Sequence, residues 1–320
     1  NDLEDGEKKY SEWYYGPQER FMQKIKIKSL ASSFFYDKIN LSLSFQKVKE
    51  SRHYKKTKEI LKLNRFESLH VYDVGIDLRK DLFTTKISYG AGGRKQLLSS
   101  IANKESEGGC FFYSSTRYPN AGSVVENIFF YSQLSIPLSH KLAFYLGGRL
   151  NQNLLTASFS DTITHAFPFS EIKNKNISIV TSSLMNYQLS SNTVLTASFY
   201  SGFRNPNIDD VGKVFSKNDS HVVIPNPNLL SEKAQNIEFR FRTMLCNSLS
   251  ISFTYFNTNI RDAIQREDGL LNGDSMLVYD GVLMRVQMNK NIESAIIRGG
   301  NIILSYRPIE SLKVSSSCNF

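Results

Sequence analysis

The chain is 320 residues long, 41% hydrophobic and 12% aromatic, and carries 39 Lys and Arg against 30 Asp and Glu, a formal charge of +9. That apolar content excludes a disordered tail, and 22 Phe and 16 Tyr against 8 Pro and one Trp favour strands, because aromatic side chains fit a pleated, half-buried surface. The length admits two ordinary domains or one large β-structure, and the basic residues are spread too evenly to mark a nucleic-acid partner.

In chain order, the opening NDLEDGEKKYSEWYYG has no initiator Met and no apolar leader, so the chain is expected to be a piece of something longer. INLSLSFQ (39–46) alternates apolar and small polar residues at a period of two, the pattern of a strand with two unlike faces. SRHYKKTKEILKLNR (51–65) is the one dense basic run and is expected to be a solvated loop. In VYDVGIDLRK, Tyr72, Val74, Ile76 and Leu78 oppose Asp73, Gly75, Asp77 and Arg79. YGAGGRK (89–95) lacks the spacing of a phosphate-binding loop and sits in a strand, where its glycines imply a bend or a close backbone approach. In LAFYLGGRLN, Leu142, Phe144, Leu146 and Leu150 share one face, and Tyr145, Arg149 and Asn151 the other. TVLTASFY, NIEFRFR and SLSISFTY continue the series, with Ile237, Phe239 and Phe241 set against Glu238, Arg240 and Arg242. The count is about twelve strands, several of ten or more residues.

Short polar turns fall at 36–40, 80–84, 137–141, 189–193, 245–248 and 307–311, and long polar segments lie between them at about 53–65, 97–122, 156–174, 204–232 and 264–288. Long loops on every second connection all lie at one end of the strands. No stretch reaches the ~18 continuous apolar residues of a membrane helix. An antiparallel transmembrane β-barrel, with ~9–11-residue strands, short turns at one end and long loops at the other, accounts for the pattern, its apolar face toward lipid and its charged face toward a wet interior. A soluble sandwich would have to bury that charged face. An open sheet would leave unpaired edges in hydrocarbon, so the strands either close on themselves or form part of a larger barrel.

SGFRNPNIDD (201–210) ends one strand with an Arg, two Asn, a Pro and two adjacent Asp. Pro206 removes a ladder donor, while Asn205 and Asn207 suit caps and turns, so an abrupt exit into a long loop is expected. Arg204 is placed near the barrel mouth, able to pair with Asp209, Asp210 or a carboxylate of another domain. Neighbouring Asp side chains do not by themselves make a metal site. Cys110, Cys246 and Cys318 are odd in number and widely spaced, which indicates neither a disulfide framework nor zinc. No local motif supports a Ser-His-acid triad, and no cofactor or enzyme activity is expected.

GFRNPNIDDVGKVF and IPNPNLLSEKAQNIEFRF closely resemble a stretch of the TonB-dependent outer-membrane receptors. The first box is Phe203, Arg204, Asn205 and Pro206; the second is Asn226, Pro227, Asn228 and Leu229, followed by Glu232 and Glu238. STRYPNAGS (115–123), DAIQRED (262–268) and VYDG (278–281) look like barrel segments of Bacteroidetes members, so the resemblance runs colinearly along nearly the whole chain. It departs at Ser231, where the family usually has Pro, and where its Gly following the strand Glu is replaced; nothing matches the family's plug domain or its TonB-engaging segment. The resemblance implies that residues 1–320 are part of a barrel of about 22 strands, in the outer membrane of a Gram-negative bacterium among lipid and lipopolysaccharide. It further implies energised uptake of a scarce nutrient through the TonB complex, most plainly an iron complex, either a ferric siderophore or haem; a non-transporting binding or adhesion barrel is the alternative. Arg117, Tyr118 and Arg204 suit a chelate. His221, between the two boxes as in the haem-uptake branch, suits an axial ligand from a mobile loop.

Overall fold

The computed structural model describes residues 3–4, 7–160, 170–217, 220–246, 248–279 and 281–320. Its framework is twelve long strands: β1 (Glu19–Ser29), β2 (Lys38–Lys56), β3 (Lys62–Leu82), β4 (Thr85–Glu105), β5 (Ser123–Pro137), β6 (Leu142–Ser158), β7 (Glu171–Ser190), β8 (Thr193–Arg204), β9 (Glu232–Cys246), β10 (Leu249–Asp268), β11 (Val282–Ile309) and β12 (Leu312–Asn319). Each pairs antiparallel with the next, in one barrel sheet. The all-β antiparallel architecture and the expected dozen strands are therefore both present.

The registers show how the alternation becomes two surfaces. Leu43 faces Val74, Val74 faces Gly93 and Gly93 faces Ile128; one residue along, Ser44, Asp73, Arg94, Asn127, Asn153 and Asn176 form a second continuous row. The first row is apolar and exposed, with Val74 56% and Ile128 53% accessible, and so are Ile179 (73%) and Phe239 (54%) further round the same face. In the second, Asn153 and Asn176 are buried, and Asp73 accepts from Arg94 and from Ser44 Oγ. Apolar side chains exposed and amides buried is the reverse of a soluble protein and the arrangement a barrel adopts in lipid. Tyr72, Leu146 and Phe241 lie on the exposed face with Val74 and Phe239. Asp77 is on the opposite face, accepting from the Tyr131 hydroxyl, and Glu238 pairs there with Arg240 at 2.8 Å. Above Phe45 and Tyr72 the outward face turns charged, with Lys49–Glu19 at 3.3 Å and Lys95–Glu126 at 2.7 Å.

Short connections occupy 30–37, 83–84, 138–141, 191–192 and 310–311, with one more between Cys246 and Leu249. At the other end the connections are 57–61, 106–122 and those between Ser158 and Glu171, Arg204 and Glu232, and Asp268 and Val282; all are shorter than polarity suggested, and the first, with five residues, is shorter than 30–37 and not a long loop. The basic run 51–65 is thus not a loop but the tops of β2 and β3, hinged at 57–61. Strand pairing continues above the apolar band because backbone hydrogen bonds do not require apolar side chains, and the lysines find carboxylates: Lys55 with Glu107 and Lys62 with Glu12, both at 2.9 Å. His53, expected in a loop, is on β2 with Nδ1 2.7 Å from Asn64 Oδ1. In β4 the expected close approach is real, since a Cβ on Gly90 would lie 2.3 Å from the Ile76 carbonyl and 2.8 Å from the Tyr131 ring.

The long-loop end has its own cores. A hairpin, Phe215–Lys217 with His221–Ile224, runs parallel to the top of β11, pairing Val222 with Val286 and Ile224 with Met288. Val214, Val222, Ile224, Tyr279, Met284 and Val286 pack into one buried cluster, and Leu155, Ala157, Ile172, Val211 and Leu229 into a second.

Candidate functional site

The two motif boxes meet at this end. Asn207 caps the short helix α1 (Ile208–Val211): its side chain accepts from the Asp210 amide, and Asp210 Oδ2 accepts from the Asn207 amide. Asp210 also accepts from Arg204 Nη1 at 2.6 Å, and Arg204 Nε donates to Glu232 at the foot of β9. Arg204 and Glu232 face each other in the β8–β9 register, so one guanidinium ties strand exit, helix and strand return together. Glu232 Oε1 further accepts from the Ile264 amide of β10. Asn205 accepts from Ser231 Oγ at 2.7 Å, which shows what the departure from Pro provides.

Asp209, adjacent in sequence, does something different. Its Oδ1 accepts from the Tyr118 hydroxyl at 3.2 Å, pairs with Lys213 at 3.1 Å and lies 3.9 Å from Arg117 Nη2. The loop after β4 is thereby tied to the loop after β8. Burial first, and then the Asp209 carboxylate, push the Tyr118 phenol above its ordinary range, so the hydroxyl keeps its proton and its role as donor. The adjacent acids thus split the work: Asp210 closes its own loop, and Asp209 receives a neighbouring one.

The second box crosses the interior on a set of asparagines that pattern reading passed over. Asn174 Nδ2 donates to the Pro227 carbonyl at 3.1 Å and the Leu229 carbonyl at 2.8 Å, and Asn176 Oδ1 accepts from the Ser231 amide. From β11, Asn291 accepts from the Leu230 amide and donates to the carbonyls of Leu230 and Asp262. Asn226 donates to the Asn289 carbonyl at 2.7 Å, while Asn289 donates to the Asp210 carbonyl. Asn228 is exposed, its amide donating to Asn226 Oδ1, and Leu229 is buried. Irregular backbone inside a wall needs partners for every N–H and C=O, and short side-chain amides supply both kinds. The signal was available as Asn at alternate positions, NKN at 174–176 and again at 289–291.

Of the candidate ligand contacts, Arg117 and Tyr118 come together through Asp209, beside the Asp210 that holds Arg204. His221 stands apart from them and is not in a mobile loop. It begins the strand His221–Ile224, its Nδ1 is 2.8 Å from Ser220 Oγ, and it lies opposite Arg285. His165, which the sequence puts in the long polar segment 156–174, lies outside the described residues.

A family model for the β-barrel of TonB dependent receptor-like proteins matches residues 9–317. The chain belongs to this family. Solved structures share the receptors' fold: the copper transporter OprC (13% identity, TM-score 0.75, 97% of this chain and 46% of that one), the ferric yersiniabactin uptake receptor FyuA from Yersinia pestis (15%, 0.62, 97% and 44%), and the Serratia marcescens hemophore receptor HasR in complex with HasA and heme (10%, 0.64, 91% and 46%). The chain spans under half the length of these receptors. No curated protein sequence matches it.

Proposed function

We propose that this wall belongs to an outer-membrane receptor of a Gram-negative bacterium that takes up a scarce nutrient with energy from the TonB complex, the nutrient being an iron complex. Residues 1–320 are then one part of a barrel of about 22 strands, which encloses a plug and stands among lipid and lipopolysaccharide. The observation that carries the reading is the mouth: the loops after β4 and β8 are tied to each other, and the β8 exit is tied through Arg204 and Glu232 to β9 and β10, with Arg117 and Tyr118 held at the crossing. A receptor that must hold a bulky solute gains from such preorganisation, because side chains already ordered cost less to order on binding. Arg117 and Tyr118 are the proposed contacts for a chelate, Arg204 their positioning residue, and His221, with Nδ1 beside Ser220, the residue that would ligate haem iron through Nε2.

The test is uptake of radiolabelled iron by cells carrying the full-length receptor. Uptake should vanish when TonB is deleted and fall about tenfold in Arg117→Ala. His221→Ala should lower uptake from haem and shift the Soret band while sparing a ferric siderophore; a normal band and unchanged haem-dependent growth would leave the siderophore. Iron uptake independent of both TonB and Arg117 would overturn the proposal.

A further inference from the structure

On the lipid-facing side of β1 to β5, a groove of about 600 Å³ crosses the upper edge of the apolar belt. Ile25, Leu43, Val74 and Ile128 form its lower wall and share one ladder row with Gly93. Phe45 and Tyr72, with ring centres 5.1 Å apart, lie on the row above, which β4 and β5 continue with Lys95 and Glu126. The groove therefore spans the level at which outward side chains change from aliphatic to aromatic to charged, which is the boundary between acyl chains and headgroups in a bilayer.

Gly93 is the gap in the lower row. A Cβ there would meet the Asn127 carbonyl and Val74 Cγ1 at 3.6 Å, an ordinary contact distance, so the packing of this chain leaves room for a side chain. Gly92, on the opposite face of β4, has no such room: a Cβ would lie 2.5 Å from the Phe129 ring and 2.9 Å from the Val74 carbonyl. Glycine weakens a strand, and one that the protein's own packing does not require marks the close approach of something else.

Charge along the upper edge favours an anion. Lys95 pairs with Glu126 at 2.7 Å and Lys49 with Glu19 at 3.3 Å, while Lys47, opposite His70 on the next row, has no carboxylate within ion-pairing distance among the described residues. Exposed ion pairs are weak in water, so a phosphate can share Lys95 with Glu126 and take Lys47 outright. Lys47 on β2 and Lys95 on β4 lie two strand spacings apart, ~10 Å, and two long side chains can converge over that distance on one phosphate. We propose that the groove seats one acyl chain of lipopolysaccharide against Gly93, with a lipid A phosphate held between Lys47 and Lys95. The groove lies toward the long-loop end of the belt, which is the external leaflet in a receptor, and there the acylated, phosphorylated lipid is lipopolysaccharide. The site rests on the outer-membrane placement proposed above; it uses neither the mouth nor the barrel interior and is independent of the transported solute.

The experiment uses the full-length receptor, purified in detergent, stripped of lipid and titrated with lipid A, with the bound fraction read by native mass spectrometry. Wild type should retain lipid A. Gly93→Leu, which fills the groove from a position with room for a side chain, should weaken retention about tenfold, and so should Lys47→Gln combined with Lys95→Gln. Deacylated lipid A and phosphatidylglycerol should each bind wild type about tenfold more weakly than lipid A. Should Gly93→Leu fail to fold, the lysine variant, which leaves the apolar packing alone, carries the same expectation. Wild-type retention of lipid A in either folded variant would overturn the site, and phosphatidylglycerol held as tightly as lipid A would overturn its occupant. Iron uptake by cells carrying Gly93→Leu should match wild type, so loss of lipid A retention with uptake intact separates this site from the transport reading, and a receptor that retains lipid A but takes up no iron would fail that reading while keeping the site.

Discussion

The lower wall and the mouth are built by opposite rules. In the lower wall Ile25, Val74, Ile128 and Phe239 are exposed and polar side chains such as Asp73 and Arg94 pair with each other inside; in the mouth Val222, Tyr279, Met284 and Val286 are buried as in any soluble core. The backbone is similar in both, since single strands run from one to the other, β11 over Val282–Ile309 among them. The difference is the solvent. Against hydrocarbon an apolar side chain gains nothing by turning inward, whereas above the membrane water drives it into a core at roughly 25 cal/mol per Å² buried. A strand that crosses from one medium to the other therefore changes which residue types it hides.

Charge placed in either region should separate them. Val286→Asp puts an unpaired carboxylate at a position with no exposure, a cost of about 3–5 kcal/mol, enough to unfold the small mouth core while leaving the wall. Hydrogen exchange should show protection lost across His221–Ile224 and kept along β2 and β3; loss along the entire chain would mean that mouth and wall are one cooperative unit. Phe239→Lys puts a charge toward lipid and should lower barrel stability by about 2–4 kcal/mol in bilayers, with exchange at His221–Ile224 unchanged. Equal destabilisation in lipid and in a water-soluble polymer would remove the membrane from the explanation.

The smallest effect concerns the short-turn end. The Ser32 hydroxyl, then the Asp81 amide, then Lys80 hold the Asp37 carboxyl well below the usual carboxylate range. The folded state thus favours the ionised form, so this contribution is present above about pH 4, the ordinary carboxylate value, and fades as pH falls below it. Wild type should melt higher than Asp37→Asn at neutral pH, and the gap should close below pH ~4; a constant gap would assign the effect to packing. No comparable acid dependence is expected in the mouth core of Val222 and Val286.

The barrel was legible because a two-residue period survives any tertiary context: once Tyr72, Val74, Ile76 and Leu78 alternate with Asp73 and Asp77, one face must be apolar and the other polar. Turn positions were legible too, since strands in hydrocarbon stop where polar punctuation begins, except the first, expected at 36–40 and found at 30–37. The extent of the long loops was not. Lys55, Lys56 and Arg65 look like loop residues by polarity, yet they stand in ladders because water on one side of a sheet is no obstacle to pairing.

The motif boxes show the same division residue by residue. Pro206 and Asn207 announced a strand exit and a cap, and both local roles are present, because a fixed φ and a short acceptor side chain act within a few residues. That Asp210 would hold Arg204 and Glu232 while Asp209 received Tyr118 from 91 positions away could not be read locally, since nothing in the letters D-D distinguishes the two. The asparagines at 174, 176, 289 and 291 likewise acquired their partners only when β7 and β11 were set on either side of residues 226–231. By itself the sequence determined the alternation, the turns and the apolar belt, all set by steric periodicity and by the affinity of each side chain for its medium. Tertiary structure alone decided which polar groups satisfy one another across the mouth, because hydrogen bonds act over about 3 Å and depend on which strands the fold brings within that distance.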